Sequence, residues 1–389
     1  MSTTRRPAVV LGLLWAGLAL TRSLGRAGLD VTGIALGPHE FGLRSRYLGR
    51  RVVVSESDER RRAERVLALL REVAAHGRPV LFPERDAHVE LVLRRWDDVR
   101  ELADVPLPDD PEAARRLRRK ELLVGEAKRA GVPAPATAAP TSEEEVRSLA
   151  LRPPLLVKPV EGQDFALTFG RKLRVAGDLD EALVGWRSAR AHGFETVIQE
   201  LVPYAHDKVF SLFTYIGRQG QPLANVVGRK VRAGPPYFGT AAVFELRDEP
   251  RVLDLGLRLL RSAGYAGFAQ VELAHDARDD TFKVLEVNTR PPQWAGIAMT
   301  RRFDIARIAY DDLCGAPAPA PATFAEEGVN WIYFAKDVWS SLELARRREL
   351  GPARFLAEYA RPGKVRAIFA RDDPLPAAAS LAYLRAKVA

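Results

Sequence analysis

Apolar blocks and charged blocks alternate along residues 1–106 of the chain. The apolar blocks are short and rich in valine and leucine, whereas the charged blocks carry apolar positions at helical spacing. The predicted strands are Ala8–Leu13, Asp30–Leu36, Arg51–Ser55 and Pro79–Phe82, and the predicted helices are Trp15–Arg26 and Arg60–His76. This alternation is typical of a parallel α/β domain, which we assign to residues 1–106.

A helix is expected next, because its start and its end both carry the usual signals. Asp110 is suited to the N-cap, Pro111 to the first helical position and Gly131 to the residue just past the end. Its apolar stripe consists of Ala113, Leu117, Lys120, Val124 and Ala127. The lysine on this stripe either lies along the core with its ammonium in water or binds a phosphate, and the helix alone favours neither.

The rest of the chain is divided by changes in composition. We place the boundaries at residues 107–196, 197–315 and 316–389. The last segment begins with Ala316–Ala322, a low-complexity linker in which alanine and proline alternate. Beyond it, Trp331, Phe334 and Trp339 are expected to pack on the core, the alternative being contact with an acceptor or a membrane surface.

Composition and charge exclude several classes of protein. A chain of 389 residues with 47% hydrophobic content suits a globular protein of two or three domains. The single Cys314 excludes an internal disulfide and a cysteine-based zinc site, and it favours a reducing cytoplasm. The net charge of +9 comes from arginines dispersed among acids, so we expect anionic small-molecule substrates and no nucleic acid. The oligomeric state stays open.

The N-terminus has two interpretations. A charged start followed by PAVVLGLLWAGLAL resembles the first regions of a secretory signal peptide. No small-x-small cleavage site follows, and the same residues fit the first predicted strand and helix, so we favour a cytoplasmic βαβ unit. No other window reaches the roughly 20 apolar residues of a membrane span.

Two strands at residues 268–273 and 282–288 flank a polar turn and are expected to pair in antiparallel fashion. Residues that lie opposite each other in such a pair have position numbers with a constant sum. In one register a glutamate lies opposite a glutamate, and the neighbouring pair is a glutamine opposite an asparagine. The residues that would share this face are Gln270, Glu272, Glu286 and Asn288. The two glutamates would then be roughly 5 Å apart at Cβ.

Two carboxylates this close repel each other, so a cation is expected between them. Glutamate and asparagine oxygens form a hard donor set that suits Mg²⁺, with Mn²⁺ as an alternative, and such sites are usually completed by water and substrate phosphates. The other interpretation is an acidic sheet face exposed to water. Phe268, Phe282 and Val284 are expected to lie on this face and to bury it in part, which favours the metal.

Lysines are scarce in this chain, so each one at a strand end is informative. Lys158 ends the apolar strand Leu155–Lys158 and is followed by a polar loop, as expected for a phosphate ligand. Another apolar strand carries Glu200. Lys230 precedes the loop Ala233–Gly239, whose composition predicts a tight turn near a ligand.

These residues together resemble the ATP-grasp superfamily, most closely its D-aspartate-ligase-like carboxylate–amine ligases. The strongest match is GYAGFAQVELAHDARDDTFKVLEVNTRPP, and the resemblance covers about residues 107–314. It implies an N-terminal parallel α/β (pre-ATP-grasp) domain, a two-lobed ATP-grasp domain of α/β and α+β character and a C-terminal appendage. It also implies an ATP- and Mg²⁺-dependent ligase that joins a carboxylate to an amine through an acyl phosphate, with an amino acid or a derivative, such as D-aspartate, as one substrate.

The resemblance assigns five residues to the nucleotide. Lys120 and Lys158 would hold the α- and β-phosphates, Glu200 with the backbone of Leu201 would bind the adenine, and Asp207 would bind the ribose. The loop that covers the phosphates is usually rich in glycine and serine, whereas residues 163–170 read QDFALTFG. The residues that close over ATP therefore stay open.

The resemblance assigns five further residues to the reaction centre. Glu272, Glu286 and Asn288 would hold magnesium, Lys230 would lie near the γ-phosphate and Arg290 would face the acyl phosphate. Many relatives carry proline just before this arginine, where the present chain has Thr289.

Two rival functions are open to test. An NAD(P)- or FAD-dependent oxidoreductase would use the first βαβ unit, but the stretch Gly12–Gly17 lacks the middle glycine of the dinucleotide fingerprint. No acidic residue ends the second strand, where Leu36 and Gly37 stand. The other rival is an ATP-grasp-like protein that binds nucleotide without catalysis. The glutamates and asparagine argue against it, because such groups are costly on a partly buried face without a ligand.

Overall fold

The computed structural model describes residues 5–160, 165, 168–203, 208–324, 326–360 and 363–388. In this part of the chain the strands form three sheets. The first sheet and the largest sheet share a hydrophobic core: Val9 and Leu81 of the first pack in one cluster with Leu212 and Val271 of the largest. The candidate site lies near the region where these elements meet.

The first sheet is parallel. Its strands are β1 (Ala8–Leu11), β2 (Val31–Ala35), β3 (Arg50–Val53) and β4 (Val80–Pro83). Its helices are α1 (Trp15–Arg26), α2 (Glu59–Ala74), α3 (Asp86–Arg94) and α4 (Trp96–Leu102), with a 3-10 helix at Phe41–Arg44. The strand order is β3-β2-β1-β4, and β1 and β2 are buried along their whole length, as in a parallel sheet that is covered on both faces. The prediction of a parallel α/β unit is confirmed.

The prediction of a single helix after Asp110 is wrong, because the structure has two helices there. They are α5 (Pro111–Arg118) and α6 (Lys120–Arg129), and Arg119 between them is extended with φ −83° and ψ 118°. The bend is stabilised by Arg116, whose Nε donates to the buried Oε1 of Glu126 at 2.9 Å, an interaction that apolar periodicity does not reveal. As a result Lys120 opens the second helix instead of lying midway along one.

The second sheet is antiparallel. Its strands are β5 (Thr137–Ala138), β6 (Leu155–Pro159), β7 (Arg174–Ala176) and β8 (Thr196–Glu200), in the order β5-β8-β6-β7. Helices α7 (Glu143–Arg147) and α8 (Leu179–Ala191) contribute Val146 and Trp186 to a small core with Leu155 and Ile198. The strands predicted to carry Lys158 and Glu200 are both present.

The third sheet has eight strands among the described residues and carries the candidate site. Its strands are β9 (Val209–Ile216), β10 (Pro222–Gly234), β11 (Thr240–Leu246), β12 (Gly267–Asp276), β13 (Thr281–Asn288), β14 (Ala322–Phe324), β15 (Asn330–Ile332) and β16 (Lys364–Arg366). The order is β13-β12-β9-β10-β11-β15-β16, with β14 beside β10. The remaining helices are α9 (Pro250–Ser262), α10 (Ile305–Leu313), α11 (Phe334–Arg346), α12 (Pro352–Ala360) and α13 (Leu375–Val388), with a 3-10 helix at Ala295–Ala298.

The C-terminal extension contributes three short strands to this sheet and is anchored to the body by buried ion pairs. The Nε of Arg232 on β10 donates to Asp337 on α11 at 2.6 Å, and both side chains are almost inaccessible to water. Of the three aromatic residues expected to pack here, Trp331 is buried, which confirms the prediction. Phe334 and Trp339 are 64% and 52% exposed, so the prediction is wrong for them, because they lie on the outer side of α11.

In the described ranges no helix combines the length and the apolar character that crossing a membrane would require.

Candidate functional site

The two glutamates at the centre of the site face each other across β12 and β13. The register pairs Glu272 with Glu286 and Gln270 with Asn288, as the constant-sum argument predicts. Both glutamates are partly buried, with 13% of the Glu272 side chain exposed. Four polar side chains therefore share one face of the pair at its end.

A β-bulge follows this pair and limits the predicted pattern. After Glu272 and Glu286 the register shifts by one residue, so that Leu273 pairs with Val284 and Leu285 is the extra residue. Phe282 and Val284 consequently pack with Val271 and Leu273 in the core on the opposite face. The expectation that they bury the metal face is wrong. Phe268 lies before the bulge and packs on the same side as the glutamates.

Lys230 supplies the cation nearest to the carboxylate pair. Its Nζ lies 3.1 Å from Oε1 of Glu272 and donates to the carbonyl of Gly239 at 3.3 Å. Gly239 closes the turn after β10, and a Cβ there would come within 2.2 Å of backbone atoms of the same turn. The turn predicted from the sequence is thus present, and it helps to hold a buried ammonium against Glu272.

The two carboxylates have different electrostatic environments. Burial raises the pKa of Glu272, although Lys230 opposes this effect. Burial also acts to raise the pKa of Glu286, but the hydrogen bond from Asn288 and the charges of Lys230 and Lys120 outweigh it, so the net shift of this pKa is downward. The surroundings of Glu286 therefore favour its ionised form, which is the form that binds a metal.

Asn288 connects Glu286 to Arg290. Its Nδ2 donates to Oε1 of Glu286 at 3.1 Å and to Oε1 of Gln270 at 3.3 Å. Its Oδ1 accepts from Nη2 of Arg290 at 3.3 Å. Turning the amide over would present Oδ1 beside Glu286 and complete an all-oxygen set, so a metal there requires the amide and Arg290 to rearrange.

The donor set fits a hard divalent ion that keeps much of its shell for other ligands. In the described part of the chain no group of three histidine, cysteine, aspartate or glutamate side chains could hold a metal. The candidate therefore consists of two carboxylates and one amide oxygen, Glu272, Glu286 and Asn288. Magnesium is commonly bound by one or two carboxylates together with water and substrate phosphates, so this set suits it.

Two more lysines reach the same region from other elements. Nζ of Lys158 donates to Oε1 of Gln199 at 2.6 Å, and Nε2 of Gln199 donates to Thr137 at 2.8 Å. Burial lowers the pKa of Lys158 to about 8, while the carboxylate of Glu286 acts in the opposite direction. Nζ of Lys120 donates to the carbonyls of Pro159 and Val160 at 2.9 and 3.1 Å. The predicted phosphate ligands thus converge, although neither lysine was expected to have these partners.

The residues predicted to bind adenine end the second sheet. Oε1 of Glu200 accepts from the backbone N–H of Arg152 at 2.9 Å. The backbone N–H of Leu201 donates to the carbonyl of Pro154 at 2.9 Å, so it must give up this bond to contact a base. Asp207, the predicted ribose ligand, lies outside the described residues.

Sequence reasoning missed three charged residues. The charge of Lys172, just after the loop at residues 163–170, acts to lower the pKa of Glu272 and of Glu286, although burial keeps the net shift at Glu272 upward. Asp86 at the start of α3 accepts from Nη2 of Arg290 at 2.6 Å, and Arg118 donates to the carbonyl of Asp86 at 3.3 Å. A lysine beside a phosphate-covering loop was a usable signal, whereas Asp86 and Arg290 are 204 residues apart and nothing local links them.

The N-terminus of α1, where the oxidoreductase would bind pyrophosphate, is filled by two buried carboxylates of the protein itself. Oε2 of Glu40 accepts from the N–H of Leu13 at 2.5 Å, and Oε2 of Glu84 accepts from that of Leu14 at 3.0 Å. Burial and the neighbouring Glu84 raise the pKa of Glu40 to about 7. The pyrophosphate of a dinucleotide would be a further anion beside these two carboxylates and would be repelled by them. This argues against the dinucleotide alternative.

Comparison with solved structures identifies the architecture. The ADP complex of N5-carboxyaminoimidazole ribonucleotide synthetase is similar over 88% of this chain and 85% of its own, with a TM-score of 0.65 and 13% identity. Biotin carboxylase from Campylobacter jejuni is similar over 81% and 72%, with a TM-score of 0.63 and 16% identity. L-amino acid ligase from Bacillus licheniformis is similar over 84% and 79%, with a TM-score of 0.60 and 16% identity.

No protein-family model and no curated protein sequence matches the chain. At identities of 13 to 16% the likeness to solved structures concerns the fold. The chain therefore has the ATP-grasp fold with a preceding α/β domain, which confirms the fold inferred from the sequence motifs.

Proposed function

We propose that this protein is an ATP- and Mg²⁺-dependent ligase that joins a carboxylate to an amine through an acyl phosphate, with an amino acid or a derivative as one substrate. The observation that carries the proposal is the arrangement at the end of β12 and β13. There Glu272 and Glu286 lie opposite each other, Lys230 contacts the first, and Asn288 links the second to Arg290. Three similar solved structures belong to proteins named as a synthetase, a carboxylase and an amino acid ligase.

In this proposal the nucleotide lies between the second and third sheets. Lys120 and Lys158 contact its α- and β-phosphates and exchange their present carbonyl and amide partners for phosphate oxygens. Glu200 and the backbone of Leu201 bind the adenine, and Asp207 binds the ribose. Lys172 is added as a candidate contact to the terminal phosphate, because its ammonium already lies near both glutamates.

Glu272, Glu286 and Asn288 would hold magnesium, which when bound neutralises charge on the β- and γ-phosphates. Around it, the protein's own side chains orient the reactants and balance negative charge. Lys230 is buried and held by Glu272 and Gly239, so its ammonium is fixed before the substrates arrive. Arg290 is fixed in the same way by Asp86 and Asn288. These two cations are expected to stabilise the charge that develops on the phosphoryl group and the acyl oxygen.

The chemistry explains why a phosphate donor is needed. Displacement of oxide from a carboxylate is unfavourable, so a carboxylate oxygen first attacks the γ-phosphorus. An O–P bond forms, the bond from this phosphorus to the bridging oxygen breaks, and ADP leaves. The amine nitrogen then attacks the acyl carbon and phosphate departs with the former carboxylate oxygen. Both steps depend on alignment and charge balance more than on covalent help from the protein.

The proposal is tested with hydroxylamine as a general amine, so that only the acid has to be varied. Each carboxylic acid is incubated with protein, MgATP and hydroxylamine, and hydroxamate and ADP are measured. The expected result is equal formation of hydroxamate and ADP with at least one amino acid, and transfer of one ¹⁸O from labelled carboxylate to phosphate. ADP release without transfer of label would contradict an acyl phosphate, and bicarbonate as the sole active acid would indicate carboxylation instead.

Tight MgATP binding without turnover for any acid would favour the non-catalytic alternative. A matched variant strengthens the test: Lys230→Met removes the buried cation nearest to the carboxylates and should abolish hydroxamate formation. The exposed Lys364 lies on β16 in the C-terminal extension, and Lys364→Met should leave hydroxamate formation unchanged.

A further inference from the structure

Two guanidinium groups meet at Asp86, beside the candidate site. Arg118, the last residue of α5, donates from Nη2 to the backbone carbonyl of Asp86 at 3.3 Å. Arg290, just after β13, donates from Nη2 to Oδ2 of the same residue at 2.6 Å. Asp86 follows the carboxyl end of β4, the edge at which ligands bind in open α/β sheets. Three separate elements therefore bring these side chains together.

Each guanidinium retains one buried N–H group that makes no hydrogen bond among the residues that the structure describes. These groups are Nη1 of Arg118 and Nε of Arg290. Only 16% and 18% of the two side chains is exposed. Buried donors without partners are rare in proteins, and arginine donors are well suited to carboxylate and phosphate oxygens. Two of them around one residue indicate an anion that is not part of the chain.

Charged groups of both signs surround Asp86. Asp86 is influenced by Arg290, Arg118 and Lys120, which outweigh the effect of burial and lower its pKa to about 2. Glu90 also approaches Arg118, at 3.7 Å. Glu286 and Glu84 also act on Arg290, so acids match the cations here and the sign of a missing ligand is the two N–H groups without partners.

We infer that Arg118 acts with Arg290 to bind the carboxylate that becomes the acyl group, first as the carboxylate anion and then as the acyl phosphate. This inference rests on the proposed function and names a second residue for its acid substrate. The γ-phosphate of ATP is the other source of anionic oxygen near Arg290. The acid is favoured because Arg118 contacts the α/β domain through Asp86, whereas the lysines assigned to the nucleotide, Lys120 and Lys158, contact β6 and β8.

The test uses acetonylphosphonate, a stable analogue of acetyl phosphate, as the probe for this anion site. Its dissociation constant is measured by calorimetry on the full-length protein saturated with MgADP, and those of MgADP and MgATP are measured separately. The variants are Arg118→Gln and Arg118→Lys. The matched control is Arg119→Gln, which removes one positive charge at the neighbouring position. The Arg119 side chain is 54% exposed and pairs with Glu121.

The expected result is binding of the probe by the wild type and at least tenfold weaker binding by Arg118→Gln. Arg118→Lys should recover part of the affinity because it keeps the charge but not the forked geometry. The dissociation constants of MgADP and of MgATP should agree within about twofold among the wild type and all variants. Arg119→Gln should resemble the wild type in every titration. Melting curves without ligand check that each variant is folded.

Four results would overturn the inference. An equal loss of affinity for acetonylphosphonate in the Arg118 and Arg119 variants would show that only net charge matters. Wild-type affinity of Arg118→Gln for the probe would exclude Arg118 from the site and would leave the proposed ligase function intact. A selective loss of MgATP affinity over MgADP would assign Arg118 to the γ-phosphate. Failure of the wild type to bind MgADP would contradict the proposed function itself and this inference with it.

Discussion

Glu272 and Glu286 lie directly opposite each other on β12 and β13, and the ammonium of Lys230 contacts the first of them at 3.1 Å. A carboxylate pair of this kind is unfavourable unless cations balance it, and the charges of Lys120 and Lys172 also act on Glu286. The site is expected to bind divalent metal together with the phosphates that complete its shell.

The first prediction concerns Glu286. Glu286→Gln keeps the acceptor that Asn288 uses but removes a carboxylate whose pKa is lowered in the folded protein, so the variant should fold, melt slightly below the wild-type temperature without ligand, and lose hydroxamate formation. Calorimetric titration of ATP with and without magnesium measures the metal-dependent part of affinity, which should disappear. Asp254→Asn on α9 removes a carboxylate of the same charge that is exposed, and it should change neither hydroxamate formation nor ATP affinity. A fully active Glu286→Gln would refute the metal assignment.

The second prediction concerns pH. The pKa of Lys158 is lowered to about 8 by burial, so the ammonium that would contact phosphate loses its proton as the pH rises through that value. The dissociation constant for MgATP should therefore increase between about pH 8 and 9.5, approaching tenfold per unit. Lys158→Arg keeps its charge in this range, and its binding curve should be flat. A wild type with the same affinity at pH 7 and 9.5 would remove Lys158 from the nucleotide site.

The third prediction concerns Asp86 and the orientation of Arg290. Asp86→Asn weakens the charge-assisted hydrogen bond to Nη2 of Arg290, a bond typically worth about 1.5–3 kcal/mol. We expect about 10- to 100-fold slower hydroxamate formation with MgATP affinity unchanged. Asp97→Asn, an exposed acid on α4, is the control. Equal loss of ATP affinity and of rate would mean that Asp86 serves the nucleotide and not the acyl phosphate.

The fourth prediction concerns the C-terminal extension. Asp337→Ala would leave Arg232 as a buried charge without its partner and would also remove the acceptor of the Tyr359 hydroxyl. Breaking a buried pair typically costs about 3–5 kcal/mol, so urea should unfold the variant at a clearly lower concentration. Glu343→Ala breaks an exposed pair with Arg347 and should change the midpoint little. Similar midpoints for the two variants would show that the extension is not held by this pair.

Local sequence signals were sufficient for the strands of the first sheet and for the pairing of Glu272 with Glu286. Those elements depend on apolar runs and on a short turn between neighbouring strands. The position of the bulge at Leu285 could not be predicted, because one inserted residue leaves no mark in composition, and the bulge places Phe282 and Val284 on the opposite face.

The missed parts depend on contacts between distant segments. The break at Arg119 is stabilised by Arg116 and Glu126, and the arginine pair at Asp86 joins residues from three elements. The roles of Lys120 and Lys158 came mainly from a family resemblance, since the helix that carries Lys120 favours no role and the strand end at Lys158 is by itself a weak sign of a phosphate ligand. No local pattern distinguishes these charged residues from the many exposed arginines of the chain.

The most direct test of the central claim compares melting temperatures of the full-length protein with MgATP, with ATP and a chelator, with NADH and without ligand. A ligand at a hundred times its dissociation constant stabilises the folded state by about 2.7 kcal/mol, which corresponds to a shift of a few degrees. We expect a clear rise in melting temperature with MgATP, a smaller rise when magnesium is chelated and none with NADH. A shift with NADH alone would contradict it and assign the function to the N-terminal α/β domain.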